Sequence, residues 1–191
     1  LLLMLCPLLC LGQNRVSVTS VPPMRNAVSG HYAGWLDGKL WTWGGCNFPG
    51  IPCADGGAKK FYPIAYGASV QAAGGVVVIG GTDGVTSQDK CWFINSAYKE
   101  EKDLPNLPKG LDNFAATYHN GTIYVAGGQS NGVPNQEVYS LQYPGNAKEW
   151  TLVGTMPDAC RLQPCVAVQN TAKGNALFIF GGYQPKVDSL N

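Results

Sequence analysis

Short apolar stretches that end in a pair of glycines recur along the chain. Runs of β-branched and aromatic residues bounded by glycine are typical of β-strands. Each stretch follows a turn signal, and a segment of small and apolar residues precedes that turn. The pattern predicts a repeated unit of strand, tight turn, strand and glycine pair. The glycine-ended stretches are LWTWGG at Leu40–Gly45, VVVIGG at Val76–Gly81, IYVAGG at Ile123–Gly128 and LFIFGG at Leu177–Gly182.

The turns inside these units have the residues that a tight hairpin needs. Asp37-Gly38 and Asn120-Gly121 each end six residues before a glycine pair (44 − 38 and 127 − 121). Such dipeptides supply the positive φ angles of two-residue hairpins. Successive glycine pairs lie 36, 47 and 54 residues apart (80 − 44, 127 − 80, 181 − 127). A unit of about 50 residues with four strands is typical of a kelch-type propeller blade.

The sequence therefore predicts an all-β fold, a kelch-type β-propeller of about four partial blades, roughly half to two-thirds of a six-bladed ring. The second unit continues with a strand KCWFIN and a short fourth strand around Asp103–Leu107, and the third with EVYSLQY and EWTLVG. The first unit has room only for the segment GGCNFPGIPCADGGAKKFY, so we expect it to lack outer strands. We expect a fragment of a larger ring, with exposed apolar blade faces.

The composition excludes some classes of function and adds little to the prediction of the fold. Charged residues make up 13% of the chain, the net charge is +1, and no basic run exceeds Lys59-Lys60. We therefore expect no nucleic-acid partner. The first residues, LLLMLCPLLCLG, are apolar but too short to span a bilayer, and they resemble part of a secretory signal. We assign residues 1–12 to a truncated signal peptide and 13–191 to the partial propeller, and we expect a secreted or periplasmic protein without a membrane span.

The cysteines and histidines do not form a recognisable metal motif. Outside the leader, an odd number of cysteines remains, so at least one thiol is free. Cys46 and Cys53 share one loop and are able to pair in an oxidising compartment. The chain has no Cys-x-x-Cys or His-x-x-His spacing and only two histidines, which argues against zinc and against a copper–radical oxidase. We predict no metal and no organic cofactor.

Functional side chains are expected where loops meet at one mouth of the central channel, because such mouths hold polar groups on a rigid frame. Each candidate also has a structural alternative. Asp55 suits a cap of the following glycine turn, the lysines suit a solvated surface, and Arg161 suits a bond to nearby carbonyls. The candidates are Asn47, Asp55, Lys59, Lys60, Asn113, Arg161 and Gln163.

Three segments carry a more specific signal. The pattern GGCNFP, the run ADGGAKKFY at Ala54–Tyr62 and the segment CRLQPC resemble the kelch-type N-acetylneuraminate epimerases, and more closely the branch called cyclically permuted mutarotases. The resemblance covers most of the chain after about Val21. It implies a secreted bacterial six-bladed propeller that interconverts the anomers of sialic acid. The family's catalytic glutamate falls on Asp55, which is one methylene shorter, and its arginine is matched by Arg161.

The resemblance also implies a division of roles. Mutarotation opens and recloses a sugar ring by moving protons, and general acid–base assistance is worth roughly 10²–10⁴-fold. Asp55 would move protons, and Arg161 would hold the sugar carboxylate with its planar fork. The alternative is a secreted kelch propeller that binds glycan or protein without catalysis. The oligomeric state stays open. The residues expected to contact the sugar are Asn47, Lys59, Lys60, Asn113 and Gln163.

Overall fold

The structure is a computed structural model that describes residues 22–95, 100–157 and 159–184. Within these ranges, fifteen strands form five antiparallel sheets, and a single short 3₁₀ helix is present. The strands form four blades, of which the first and fourth have two strands among the described residues, together with one short ribbon, and none of the described sheets closes on itself. This confirms the predicted all-β, kelch-type propeller fold. The expected signal peptide at 1–12 lies outside the described residues.

The first blade is a two-stranded antiparallel hairpin of β1 (Tyr32–Leu36) and β2 (Lys39–Trp43). Its turn residues Asp37 and Gly38 have φ angles of 49° and 71°. Both are in the left-handed region that a two-residue hairpin requires. The Asp-Gly signal therefore placed this turn correctly.

The loop after the first blade is closed at its base by a two-residue ribbon, β3 (Cys46–Asn47) paired with β4 (Lys60–Phe61). A 3₁₀ helix, Cys53–Asp55, lies between the two strands. A Cβ atom on Gly57 would lie 1.8 Å from the backbone oxygen of Ile51, so only glycine fits there. The described part of the first blade has no outer strands, as the short spacing predicts.

The second blade is a sheet of four strands in sequential order. Its outermost strand lies about three residues earlier than the sequence pattern indicated. Pro105 explains the early end, because proline has no N–H to donate to a strand ladder. The strands are β5 (Ala68–Ala72), β6 (Gly75–Thr82), β7 (Ser87–Ile94) and β8 (Glu100–Leu104).

The third blade has the same four-strand order and one additional short strand. Trp150, which the sequence placed in the outer strand, is buried immediately before it and donates its indole N–H to the carbonyl of Pro105 at 2.9 Å. That bond ties the outer edges of the second and third blades together. The strands are β9 (Asp112–His119), β10 (Thr122–Ser130), β11 (Val133–Pro134), β12 (Glu137–Gln142) and β13 (Thr151–Thr155).

The fourth blade is a hairpin of β14 (Cys165–Thr171) and β15 (Gly174–Phe180). Apolar side chains fill the spaces between neighbouring blades. The largest cluster lies between the second and third blades and includes Ile79 and Ile123, both fully buried. Burying a side chain of this size stabilises a fold by roughly 1.5–3 kcal/mol. This packing holds the loops at the channel mouth in fixed positions.

Candidate functional site

One backbone position repeats at the start of the first strand of each described blade, two residues before it in three blades and at its second residue in the third blade. The residues there are Gly30, Tyr66, Asn113 and Gln163, with φ angles of 62°, 59°, 55° and 52°. A residue other than glycine rarely adopts this left-handed conformation, and it persists only when its surroundings impose it. The repeat therefore marks a constrained point of the fold.

Backbone hydrogen bonds between blades impose this conformation. The N–H of Tyr66 donates to the carbonyl of Gly30 at 2.8 Å, and the N–H of Asn113 donates to the carbonyl of Tyr66 at 2.7 Å. The N–H of Gln163 donates in turn to the carbonyl of Asn113 at 2.6 Å. Each blade is thus linked to the next through the same backbone atoms. We call this series the inter-blade chain.

The inter-blade chain forms the floor of an open groove of about 430 Å³. This volume lies within the range of small-molecule sites, about 300–1,000 Å³. Polar side chains come from all four blades, and Phe114 and Pro164 add apolar surface. The groove is lined by Ser29, Gly30, His31, Tyr66, Gly67, Asn113, Phe114, Gln163 and Pro164.

A buried carboxylate supports one end of the groove. Asp112, at the start of β9, is 3% exposed. Its carboxylate accepts hydrogen bonds from Ser87 Oγ, from Asn113 Nδ2 at 2.6 Å and from Gln129 Nε2 at 3.0 Å. Asn113 Oδ1 then accepts a bond from Gln163 Nε2 at 2.9 Å. Two of the predicted sugar-binding residues, Asn113 and Gln163, are therefore in direct contact.

A lysine reaches the groove through Tyr66, although Lys59 itself is not one of the lining residues. Lys59 Nζ donates to the Tyr66 hydroxyl at 2.9 Å, and Cys46 Sγ donates to the same oxygen at 3.2 Å. The ammonium also lies 5.7 Å from the ring centroid of Phe48 and 5.8 Å from that of Phe61, which adds cation–π attraction. The hydrogen bond to Tyr66 raises the pKa of Lys59. Lys59 therefore carries a fixed positive charge beside the groove.

The β3–β4 ribbon separates the predicted residues into two groups. Side chains alternate along a strand, so Asn47 and Lys60, which pair across the ribbon, lie on the opposite face from Cys46. Tyr62 donates its hydroxyl to Asn47 Oδ1 at 3.1 Å, and Lys60 Nζ lies 4.9 Å from the Tyr62 ring centroid. The structure therefore does not bring Asn47 and Lys60 to the groove that Tyr66 lines.

Asp55 is the last residue of the 3₁₀ helix and is exposed. Its backbone N–H donates to the carbonyl of Pro52 at 3.0 Å. The next residue, Gly56, has a φ of 83° and caps the helix. Among the described residues, the carboxylate is not part of the groove lining. Asp55 shares its loop with Lys59 but projects from a different part of it.

Arg161 lies apart from the groove, between the third and fourth blades. Its Nη1 donates to the carbonyl of Gly181 at 3.2 Å, and its side chain lines a pocket of about 310 Å³ with Met156 and Phe178. This contact is the carbonyl bond that the structural alternative for Arg161 anticipated. Its backbone carbonyl also accepts the N–H of Gly128 at 2.8 Å.

Asp112 was not predicted from the sequence; the repeat placed Tyr66 near the channel without a role, and His31 was expected to be a structural residue of its strand. His31 is exposed and lines the groove, and Asp112 lies buried beneath it. A spacing signal was present, because Gly30, Tyr66 and Asn113 each lie 14 residues before a glycine pair (44 − 30, 80 − 66, 127 − 113). The spacing marks the repeated backbone position, although it does not reveal the side-chain contacts.

The described residues contain no group of three or more His, Cys, Asp or Glu side chains placed to hold a metal ion. The cysteines in the described part of the chain are all free, including Cys46 and Cys53, which share a loop. Burial raises the pKa of Cys91 to about 12, so that thiol stays protonated. No helix in the ranges described is long and apolar enough to cross a membrane.

The blades and their repeated groove position define the class of fold, a kelch-type β-propeller. Residues 111–157 match the sequence profile described as the Kelch motif. That range contains the whole third blade, from β9 to β13. No curated protein matched the chain.

Proposed function

We propose that this chain forms part of the site of an N-acetylneuraminate epimerase, a mutarotase that interconverts the anomers of sialic acid or a similar sugar acid. One observation carries the proposal: the Lys59–Tyr66 pair and the Asn113–Gln163 amides lie at the same small groove. It is supported by the resemblance of the Ala54–Tyr62 run to that family.

The chemistry of the groove suits a small sugar acid. A protonated lysine attracts a carboxylate, and a charge-assisted hydrogen bond is roughly twice as strong as a neutral one. Side-chain amides of Asn113 and Gln163 match sugar hydroxyls, which both donate and accept. The apolar surface of Phe114 and Pro164 suits the C–H face of a ring. We therefore assign the sugar carboxylate to the Lys59 end and the hydroxyls to the amide end.

Mutarotation needs one group to take the anomeric hydroxyl proton and another to protonate the ring oxygen as the ring C–O bond breaks. We propose Asp55 as the base, because it is the carboxylate that the family motif places on the Lys59 loop. Lys59, acting through the Tyr66 hydroxyl, would supply the proton to the ring oxygen. Reclosure on the other face of the carbonyl returns both protons and gives the other anomer.

The experiment is proton NMR of freshly released α-sialic acid with the full chain. We expect anomer equilibration faster than in buffer alone, and Asp55→Asn should remove most of that acceleration. A chain that leaves the rate equal to that of buffer contradicts the enzyme proposal.

A paired substitution tests the groove. Lys59→Met removes the ammonium but keeps the packing, and we expect sialate affinity to fall about 10- to 100-fold, as for a lost charge-assisted bond of about 1.5–3 kcal/mol. Lys60→Met is the matched control, since Lys60 lies on the other face of the ribbon. Equal losses in both variants would mean that only net charge matters. If Arg161→Ala is the more damaging change, the carboxylate anchor is Arg161.

The second candidate is a propeller that binds a glycan without catalysis. The position of Asp55 favours it, because that carboxylate is exposed and lies outside the groove lining. Calorimetric binding of sialate without any change in the rate of anomer equilibration would support this alternative, as would unchanged binding in Asp55→Asn.

A further inference from the structure

We propose that Asp112 fixes the hydrogen-bond direction of the whole groove. In the resulting network, Gln163 offers its Oε1 atom to a ligand as an acceptor, whereas Tyr66 offers its hydroxyl proton as a donor. A bound sugar acid must then place a carboxylate or carbonyl oxygen at Tyr66 and a hydroxyl or amide N–H at Gln163. The orientation of the sugar rests on the proposed function, whereas the direction of the network does not.

The direction begins at the buried carboxylate. The oxygens of an ionised Asp112 accept hydrogen bonds and have none to donate. Its partners Ser87, Asn113 and Gln129 all contribute donor atoms, an O–H or an N–H. An amide that turned its oxygen toward Asp112 would place two acceptors in contact, with no hydrogen between them. The carboxylate therefore selects the Asn113 orientation in which Nδ2 faces Asp112.

The orientation of the Asn113 amide then determines the orientation of the Gln163 amide beside it. With Nδ2 held by Asp112, the Oδ1 atom of Asn113 faces Gln163 and accepts a bond from Gln163 Nε2 at 2.9 Å. The backbone bond of 2.6 Å between the same two residues keeps them adjacent. Gln163 Nε2 is thereby used, and Gln163 Oε1 has no partner among the described residues. The exposed Gln163 side chain thus offers its oxygen to the groove.

The other end has the opposite polarity. The Tyr66 hydroxyl oxygen accepts bonds from Lys59 Nζ and Cys46 Sγ, which use its two lone pairs. The Tyr66 proton stays available to a ligand when the single proton of the Cys46 thiol is directed to Tyr66 at 3.2 Å and not to the carbonyl of Ser29 at 3.7 Å. Tyr66 is therefore left as a donor, beside a lysine that is also a donor. This end suits a carboxylate oxygen and disfavours an ammonium or an N–H group.

The first test needs no ligand. In ¹⁵N-labelled full-length protein, the Gln163 side-chain amide should exchange its bonded proton slowly with solvent. Asp112→Asn keeps the shape of the side chain but allows the Asn113 amide to face it in either orientation. The exchange of the Gln163 side-chain amide proton should therefore become several-fold faster. Asp83→Asn is the matched control, because Asp83 also accepts several hydrogen bonds but lies outside the groove. An unchanged Gln163 exchange rate in folded Asp112→Asn overturns the proposal.

The second test measures direction through a ligand. N-acetylneuraminate is compared with its mono-O-methyl derivatives, in which one oxygen still accepts but no longer donates. One derivative should bind the native chain about fivefold more weakly, the loss expected for one hydrogen bond of about 1 kcal/mol. In Asp112→Asn, the affinities for N-acetylneuraminate and for that derivative should become nearly equal.

Two substitutions at the exposed residue Gln163 test the same polarity without disturbing a buried residue, so a loss of discrimination there is not explained by misfolding. Gln163→Glu keeps an acceptor, so the discrimination against the methyl ether should persist even if overall affinity falls. Gln163→Met removes the acceptor, so the discrimination should vanish. Equal ratios in Gln163→Glu and Gln163→Met contradict the proposed polarity.

The outcomes separate the two proposals. If N-acetylneuraminate neither binds nor interconverts, the proposed function fails, and the exchange rates still decide the direction of the network. If the sugar binds but its methyl ethers are not distinguished by the native chain, the function stands and the proposed orientation is wrong.

Discussion

The facing sheets of the second and third blades are buried, whereas the outward faces of the first and fourth blades are exposed. Ile79 of β6 and Ile123 of β10 are both 0% exposed, but Leu40 of β2 and Phe178 of β15, also in the second strands of their blades, are 60% and 45% exposed. All four residues belong to the same kind of strand. The difference comes from whether a neighbouring blade covers that face.

This comparison explains why the glycine-ended strands read as continuous apolar runs. A sheet covered on both faces needs apolar residues at every position, not at alternate ones. In β6, seven of the eight residues are buried. The first and fourth blades carry the same kind of sequence with one face covered in the described structure. Apolar pattern therefore identifies the blades, but it does not say which faces are buried.

Polar contacts also differ between the blade interfaces. Between the first two blades, Gln71 bonds the backbone of Trp35 through both its amide atoms, at 2.9 and 3.0 Å. Ser69 bonds the backbone of Ala33 in the same way. These side chains pair with an exposed strand backbone, as the next strand of a sheet would do. Between the second and third blades, the side chains of Ser87 and Trp150 make polar contacts, to Asp112 and to the carbonyl of Pro105, and a large apolar cluster fills the rest of the interface.

The largest effect is expected at the most buried interface. Ile123→Ala should lower the free energy of unfolding by about 2–5 kcal/mol, because it leaves a cavity among residues that cannot collapse fully. Phe178→Ala, on the outward face of the fourth blade, should lower it by less than about 1 kcal/mol. Urea denaturation followed by tryptophan fluorescence measures both. Equal losses would show that the outward face is covered in solution.

A smaller effect is expected at the bond that ties the first blade to the second. The Tyr32 hydroxyl, which is buried, donates to the carbonyl of Gly80 at 2.6 Å. Tyr32→Phe should cost about 1–3 kcal/mol, since it leaves a buried carbonyl without that donor. Tyr183→Phe serves as control, because Tyr183 is 53% exposed. Thermal unfolding should separate the two variants, and coincident curves would contradict a structural role for the Tyr32 hydroxyl.

The smallest effect concerns pH. Hydrogen bonds from Lys109 and Tyr139 lower the pKa of Glu137 from its ordinary value of 4.5. A lowered folded-state pKa contributes stability above the ordinary value, and that stability is lost as the pH falls through the folded-state pKa. Because the Lys109 and Glu137 side chains are each 36% exposed, the contribution should stay below about 1 kcal/mol.

Glu137→Gln should therefore lose a little stability at pH 7 and show a shallower loss between pH 5 and 3, as measured by urea denaturation at each pH. Lys109→Met should show the same reduced pH dependence. If the slopes of the native chain and both variants agree, the Glu137 contacts contribute nothing measurable.

The strand hairpins were predictable because their signals are local. A turn that contains glycine, an apolar run and a glycine pair lie within about twenty residues of sequence, and the structure places each hairpin at these signals. The β3–β4 ribbon was not predictable, because two-residue strands carry no periodic pattern. Because the ribbon was not predicted, the sequence did not indicate that Lys59 contacts Tyr66 while Lys60 lies against Tyr62.

The groove was predictable only in part, because its contacts join residues of different blades. Asn113 and Gln163 were placed at the channel mouth from the repeat alone, and they lie together there. Asp112 was missed because it appeared to belong to a loop, whereas it begins β9 and is covered by Ser87 of the preceding blade. Arg161 was placed by its position before β14, but that position does not determine where a long side chain points.

The inter-blade chain has an evolutionary consequence. Its spacing is set by main-chain atoms, so the side chains at Tyr66, Asn113 and Gln163 are able to change without removing the bonds between blades, within the limit that a positive φ places on the new residue. New ligand preferences are then accessible by single substitutions to residues that tolerate a positive φ. Gly30 is the exception, since a Cβ atom there would lie 2.6 Å from Cδ1 of Tyr66. Variation is thus open at three of these positions and closed at the fourth.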